Sequence, residues 1–279
     1  MAVIGGGVIA TELASSMADL GVDVTIVEVA NDILLTEIEE VRELLKSHLD
    51  QQGIKMITNA KINNVSKSKV VLKNEEIEFD TLLIAAGRQP NTQITQELHL
   101  DMDKKFIKVN EHYQTSQEHI YAIGDLVSGY QLAHAASAHG IHVVETLAKR
   151  NPSLVRQEDI TRCIYIRLES ASVGLSESQA KEAGYDVKVT QSAFQGNAKA
   201  LIKGENEGFI KLVIDKKYGE ILGAFIVGPH ATDLIGELLG VKVSEGTINE
   251  ISNIIQPHPA LLETIGESSD AYFGTAIHM

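Results

Sequence analysis

The chain opens on "MAVIGGGVIATEL" (Met1–Leu13), where an apolar, strand-like start runs into Gly5, Gly7 and Ala10 in the spacing G-x-G-x-x-G/A. No other stretch narrows the fold as much. Gly5 permits a tight turn, Gly7 lets the backbone approach a pyrophosphate, and small Ala10 lets the next helix pack closely on the strand, with the phosphates at the helix N-terminus. The same glycines also suit an ordinary glycine-rich turn, so the motif needs context. Glu28 supplies it by closing the β-branched stretch "VDVTIVE" (Val22–Glu28). A carboxylate there accepts hydrogen bonds from a ribose 2′-hydroxyl and disfavours a 2′-phosphate, which points to NAD over NADP. Taken alone, Glu28 also reads as a solvated loop acid.

Helix and strand signals alternate through the first third. Val8–Leu20 carries apolar residues at helical spacing (Val8, Leu13, Met17, Leu20) before Gly21, and Glu37–Gln52 is a second amphipathic stretch closed by Gly53. "IKMIT" reads as a strand and "KINNVSKSKVVLKNEEIEF" as a small antiparallel meander. "DTLLIAAGRQPNT" (Asp80–Thr92) reads as a buried apolar strand leaving through a turn. This order predicts a parallel α/β sheet with one inserted hairpin. From Lys104 to about Arg156 the pattern shortens to "FIKVN", a strand in "HIYAIGDL" and a helix over Tyr130–Lys149, with Pro152 beyond it. From about Arg162, separate strands ("VKVTQSAF", "GFIKLVID", "EILGAFIVG") precede helices from Ala231 onward, the order of an α+β domain. The divisions fall at residues 1–92, 93–157 and 158–279.

With 38 acidic against 24 basic residues the formal net charge is −14, which argues against nucleic acid or an anionic membrane as partner. No apolar run approaches the roughly 20 residues needed to span a bilayer, and no basic region precedes the N-terminal apolar stretch as in a signal peptide. The single cysteine, Cys163, forms no intrachain disulfide, so a cytoplasmic setting is the simplest expectation. Cys163 itself reads as a buried small apolar residue without a function. No metal site is assigned.

Two later stretches carry chemistry. "TSQEHIYAIGD" (Thr115–Asp125) places a carboxylate at the carboxyl end of an expected strand, where ligands meet open α/β sheets, although Asp is also a common capping residue. In "QPHPALLETIGE" (Gln256–Glu267), Pro259 suits the first turn of a helix, which puts His258 at its entry and Glu263 about one turn in. A carboxylate held on one imidazole nitrogen orients the ring and raises its basicity, leaving the other nitrogen to take a proton from a thiol. A histidine so placed also reads as a cap or core residue.

Taken together, "VIGGGVIATELA", "AAGRQPNT", T-x-x-x-x-"IYAIGD", "LAHAA", "VGLSESQAKEAG" and "GEILGAFIVGPHATDLI" resemble the flavin-dependent pyridine nucleotide-disulfide oxidoreductases over essentially the whole chain. The resemblance implies a Rossmann-like NAD-binding domain, a partial central domain and an α+β interface domain that forms a homodimer. It implies that Gly5, Gly7, Ala10, Glu12 and Glu28 bind NAD, that Asp125 contacts FAD, and that Gly87 and Arg88 join the NAD-binding and FAD-contacting parts. His258 becomes a general base and Glu263 its orienting partner, a pair similar to that of the branch that oxidises dihydrolipoyl groups. There electrons pass from the dihydrolipoyl group to a disulfide, to FAD and, as hydride, to NAD, and the histidine serves the disulfide of the other subunit. The partner so implied is a 2-oxo acid dehydrogenase complex. Glutathione-reducing members share the pair but prefer NADP and place basic residues where Glu28 stands. Two departures touch the fine positioning and the preferred substrate: the usual H-x-H-P-T reads Gln256-Pro257-His258-Pro259-Ala260, and the usual T-x-P-E reads "RLES" (Arg167–Ser170). The chain is expected to be the C-terminal portion of such an enzyme, lacking the FAD-binding half and its C-x-x-x-x-C pair. It would then be catalytically incompetent by itself and retain no FAD. The alternatives are a non-catalytic, NAD-binding dimeric module or a glutathione reductase-like member.

Overall fold

Strand β1 (Ala2–Ile4) is only three residues long, yet it is an inner strand of a four-stranded parallel sheet ordered β3-β2-β1-β7. The structure, a computed structural model, describes residues 1–278. Helix α1 (Val8–Asp19) follows the glycine turn and ends where Gly21 takes φ +84°. Its inward face is Ala10, Thr11, Ala14 and Ser15, whereas Leu13 and Leu20 of the expected apolar stripe are exposed. Small residues let the helix lie close to the sheet, and that closeness outranks side-chain bulk here. Strand β2 (Thr25–Val27) pairs on one side of β1 and β7 (Leu82–Ile84) on the other, so the carboxyl end of β1 is a point where the strand order reverses.

Between them, α2 (Glu39–Gln51) buries Val41, Leu45 and Leu49, spaced by four, and leads to β3 (Lys55–Ile57). The meander β4 (Ile62–Val65), β5 (Lys69–Leu72) and β6 (Glu76–Glu78) forms as the sequence predicts and packs Val70, Leu72 and Ile77 against Ala2 and Val27. The stretch at Asp80–Thr92 differs from expectation. Only Leu82–Ile84 is strand, it lies at the sheet edge, and Ile84 is 66% exposed, because an edge strand lacks a neighbour on one side.

The chain divides into two compact units, Met1–Gly87 joined by everything from Thr161 onward, and Arg88–Ile160. The smaller unit holds the short pair β8 (Met102–Asp103) and β9 (Phe106–Ile107), then helix α3 (Ala133–Leu147), around Ile107, Tyr113, Ala122, Val127 and Val143. "HIYAIGDL" is not a ladder strand. It makes one isolated bridge, Tyr121 to Gln114, before a 3₁₀ turn at Gly124–Leu126, where Gly124 takes φ +62°.

In the larger unit, β10 (Arg162–Ile164) and β11 (Ser170–Gly174) are followed by α4 (Glu177–Glu182), β12 (Val187–Ala193), α5 (Ala198–Lys203), β13 (Phe209–Asp215) and β14 (Ile221–Val227). The strands form an antiparallel sheet ordered β10-β11-β14-β13-β12. Helices α6 (Ala231–Val243), α7 (Ile248–Ser252) and α8 (Glu263–Phe273) complete the chain. Every residue of β13 and β14 is buried. Ile210, Leu212, Ala224 and Ile226 face a core with α6 to α8, while Phe209, Val213, Leu222 and Phe225 share a core with Ile26, Leu45 and Leu49 of the N-terminal part.

Ionic groups stitch that second face. The Glu37 carboxylate is 6% exposed, lies 3.3 Å from Arg162 Nε and accepts a 2.8 Å hydrogen bond from Ser172 Oγ. Lys211, in the middle of β13, donates to Glu40, and the Tyr165 amide donates to Glu12 Oε1 at 2.9 Å. Burial pushes the Glu37 carboxyl up, against the charge of Arg162 and the Ser172 hydroxyl. Removing one partner of a buried pair strands the other, so Glu37→Ala is expected to cost about 3–5 kcal/mol of unfolding free energy. Glu37→Gln, which keeps a partner for Ser172, is expected to cost less. Urea titration checks this; midpoints unchanged in both variants would show that apolar contacts alone hold the seam.

Candidate functional site

The glycine turn is built by close approach. Gly5 takes φ +114°, and a Cβ there would lie 2.4 Å from the Ala85 carbonyl oxygen. A Cβ on Gly6 would meet Ile33 at 2.7 Å and Glu28 Oε2 at 3.0 Å. Gly7 differs: it is exposed, and a Cβ on it would meet nothing within 4 Å. It stands at the N-cap of α1, where no side chain caps the helix and the first turn holds no acid. Free amides, open space and the positive end of a twelve-residue helix suit a phosphate. Ala10 is fully buried beneath them.

Glu28 follows β2 directly and is half-buried. Its Oε2 accepts from the Gly6 amide and its Oε1 from the Ala30 amide at 2.7 Å. The carboxylate is therefore fixed against the turn, with lone pairs left to accept from a hydroxyl. Gly5, Gly7, Ala10 and Glu28 are thus brought together. Glu12, one turn into α1, has Oε1 engaged by the Tyr165 amide. Gly87 takes φ +109° with open space around it. Arg88 and Asp125 belong to the other unit; Arg88 is exposed and its carbonyl accepts from Lys105 Nζ at 3.1 Å. Asp125 is exposed, and its carboxylate has no hydrogen-bond partner among the described residues.

The second cluster lies near the end of the chain. The His258–Pro259 peptide is cis, and α8 starts at Glu263, so Pro259 precedes the helix instead of occupying its first turn. The expected pairing nevertheless forms. His258 Nδ1 is 2.9 Å from Glu263 Oε1, and the Ala260 amide donates to Glu263 Oε2 at 2.8 Å. Burial acts to raise the Glu263 carboxyl, but the Ala260 amide, the hydrogen bond and charge of His258, and the charge of His278 together hold it below the ordinary carboxylate range. The His258 side chain is 72% exposed, and its Nε2 has no partner among the described residues. The ring is oriented on one side and open on the other.

Residues the sequence reading passed over hold this loop. Asn197 Nδ2 donates to the Ala260 carbonyl at 2.9 Å and to Thr264 Oγ1 at 3.0 Å, while its Oδ1 caps α5 at Ala200. Its place before "AKALIK" is an N-cap signal. Gln256, which stands where the usual pattern has histidine, donates to Glu237 Oε1 on α6 at 2.9 Å. Glu267 lies four residues after Glu263 and so on the same helical face. Cys163 is free and half-buried; burial, with the nearby carboxylates of Glu169, Glu37 and Glu12, raises its thiol and makes it a poor nucleophile. Among the described residues there is no cluster fit for a metal ion and no helix long and apolar enough to cross a membrane.

Residues 1–140 match the pyridine nucleotide-disulphide oxidoreductase family, and residues 160–269 match the dimerisation domain of that family. A dihydrolipoyl dehydrogenase of Bacillus subtilis (strain 168) is 41% identical over 288 residues, covering 99% of this chain and 61% of the relative. One from Geobacillus stearothermophilus is 36% identical, covering 100% and 62%. The chain thus spans about three fifths of the length of the curated relatives it matches. LpdA from Mycobacterium tuberculosis superposes with a TM-score of 0.91 at 23% identity, over 97% of this chain and 61% of that one. The HOCl-induced flavoprotein disulfide reductase RclA from Escherichia coli gives 0.87 at 24%, over 96% and 64%. At these identities the structural likeness speaks to the fold.

Glu267 is held below the ordinary carboxylate range in the same manner as Glu263: burial opposes it, and the amides of Ile277 and His278 with the His278 ring outweigh burial. A depressed carboxyl contributes stability at pH above its unfolded value and loses it as pH falls through the folded one. The Glu267 contribution is therefore expected to be present at neutral pH and to fade below about pH 4.5. Urea midpoints of wild type and Glu267→Gln, compared from pH 7 to 3, should differ most at neutral pH and converge in acid; a constant difference would refute the assignment.

Proposed function

This chain belongs to the pyridine nucleotide-disulphide oxidoreductase family, and we propose that it supplies the NAD-binding turn and the acid–base pair of a dihydrolipoyl dehydrogenase. The observation that carries the reading is the 2.9 Å bond between His258 Nδ1 and Glu263 Oε1, with the opposite face of the ring open. Glu263 fixes the tautomer and orients the ring, so His258 Nε2 takes a proton from a thiol and later returns it. Asn197 and Gln256 act through the loop they brace, as positioning residues.

Members of the family use NAD(P) and FAD. When bound, these groups relay the electron pair and accept the hydride. The open amides at Gly7 and the Glu28 carboxylate fit NAD: the turn takes the pyrophosphate, and Glu28 accepts from a ribose hydroxyl. Toward FAD, the smaller unit offers the exposed Asp125, whose carboxylate has no hydrogen-bond partner among the described residues. A homodimer through the C-terminal part accords with its match to the dimerisation domain and with the exposed apolar side chains Val243, Ile254, Ile255 and Phe273. Such a dimer offers the open His258 ring to the other subunit. Docking to a 2-oxo acid dehydrogenase complex follows from the same reading, and a cytoplasmic setting accords with a single free thiol.

A second reading, a non-catalytic NAD-binding dimeric module, is favoured by one fact: a C-x-x-x-x-C pair needs two cysteines, and these 279 residues hold one. Turnover separates the two. The chain alone is expected to show no NADH-linked lipoamide turnover, whereas joined to a flavin-binding, disulfide-bearing half it is expected to be active. In that form His258→Gln should lower turnover about 10²–10⁴-fold; full activity in the variant would remove His258 from the chemistry. Calorimetry with the chain itself tests the nucleotide. NAD should bind more tightly than NADP, because a 2′-phosphate beside Glu28 costs about 1 kcal/mol or more. Glu28→Ala should narrow that preference; equal affinities in the wild type would sink the assignment.

A further inference from the structure

One helical turn beyond Glu263, Glu267 makes the same kind of bond. Its Oε1 lies 3.1 Å from His278 Nδ1, and its Oε2 accepts the amides of Ile277 at 2.8 Å and His278 at 2.9 Å. The last described residues are thereby strapped to α8. Gly196 lies beneath the strap, where a Cβ would come within 2.7 Å of the His278 carbonyl oxygen. His258, Glu263, Glu267 and His278 line one cleft of about 90 Å³. Its other walls, Ala193, Gly196, Asn197, Ala198 and Thr264, carry no charge.

We propose that Glu267 and His278 are a second imidazole–carboxylate couple of the His258 cleft, joined electrostatically to the first, so that the cleft holds two proton acceptors and takes a dithiol. The substrate class rests on the dihydrolipoyl reading above; the coupling does not. Oxidation of a dithiol by a protein disulfide forms one S–S bond in the substrate and breaks one in the protein. Two electrons leave the substrate and end on the two protein sulfurs as thiolates. Two S–H protons must also leave. His258 Nε2 takes the first as one substrate sulfur attacks. His278 takes the second as the other sulfur closes the substrate disulfide. One oriented imidazole accepts one proton, and two couples on successive turns of one helix match the stoichiometry of a dithiol. The coupling has a direct route: Glu263 and Glu267 are four residues apart on α8, and the charge of His278 acts on the Glu263 carboxyl.

The test follows the Glu263 carboxyl carbon by ¹³C NMR through an acid titration of the 279-residue chain. Protonated His278 favours the Glu263 carboxylate, so in His278→Gln the Glu263 midpoint should move up, and His278→Lys, which restores a cation, should bring it back down. The Ile277 amide signal reports whether the strap survives each substitution. A Glu263 midpoint that is the same in wild type and His278→Gln, with the strap intact, overturns the coupling. The dithiol is tested separately, in the chain joined to a flavin-binding, disulfide-bearing half, by adding dihydrolipoamide and following both imidazole rings by ¹⁵N NMR. Both should respond together; a response of His258 alone overturns the second acceptor. A response of neither overturns the dihydrolipoyl reading and leaves the coupling to the carboxyl titration.

Discussion

Two adjacent strands, β13 and β14, are buried on both faces, and the larger unit is arranged around that requirement. A strand covered on one side only would alternate apolar and polar residues; these read FIKLVID and ILGAFIV, almost without interruption. Helices α6, α7 and α8 cover one face, and the N-terminal α/β part covers the other. Full cover has a cost, because Lys211 falls on a buried face and its ammonium must be paired there. Glu40 supplies the pair from α2, and Glu37 does likewise for Arg162. The carboxylates of the N-terminal part thus serve as the polar seam of a core whose apolar members come from both ends of the chain. The same cover fixes α8, and with it the direction in which Glu263 presents its carboxylate.

Much of this was legible in the residues. The glycine spacing, Glu28 after a β-branched run, the polar-turned meander and the late strands all declare themselves through short-range rules, since glycine conformation, capping and a period of two depend on near neighbours. The failures share a cause. Leu13 and Leu20 look like the core face of α1, but the sheet lies so close that only Ala10, Thr11, Ala14 and Ser15 fit beneath it. "HIYAIGDL" has strand composition but finds only a single bridging partner at Tyr121, and a ladder needs a neighbour that composition does not reveal. Pro259 has the right company for a first helical turn, yet the helix waits until Glu263. The seam residues Glu37 and Arg162 are 125 positions apart, beyond the reach of any local pattern.

The acidic excess acquires a sense once the carboxylates are placed. Glu28 holds the Gly6 and Ala30 amides, Glu37 and Glu40 hold the seam, and Glu169 holds the Thr232 amide and hydroxyl at the start of α6. These acids are structural acceptors, so the net charge says little about what the site binds. What the proposed phosphate site rests on is local: the uncapped amides after Gly7 and the absence of an acid in the first turn of α1. A chain of formal charge −14 can therefore carry an anion site, provided the backbone supplies the donors.

The two candidate sites are built on opposite principles. At the glycine turn the backbone is presented and side chains are kept away, because Gly7 leaves open space where any Cβ would stand. At His258 the loop is tied down, by Asn197 and Glu263 on the Ala260 backbone and by Glu237 on the Gln256 side chain, so that one side chain can be presented. Fixing Nδ1 at 2.9 Å from Glu263 restricts the ring's rotation and leaves Nε2 as the face that meets a second molecule. His142 shows the contrast: buried between His112 and the Ser153 carbonyl, it uses both ring nitrogens. His258 combines one engaged nitrogen with a ring that is 72% exposed, and that combination, more than its place in the sequence, is what the proposed role rests on.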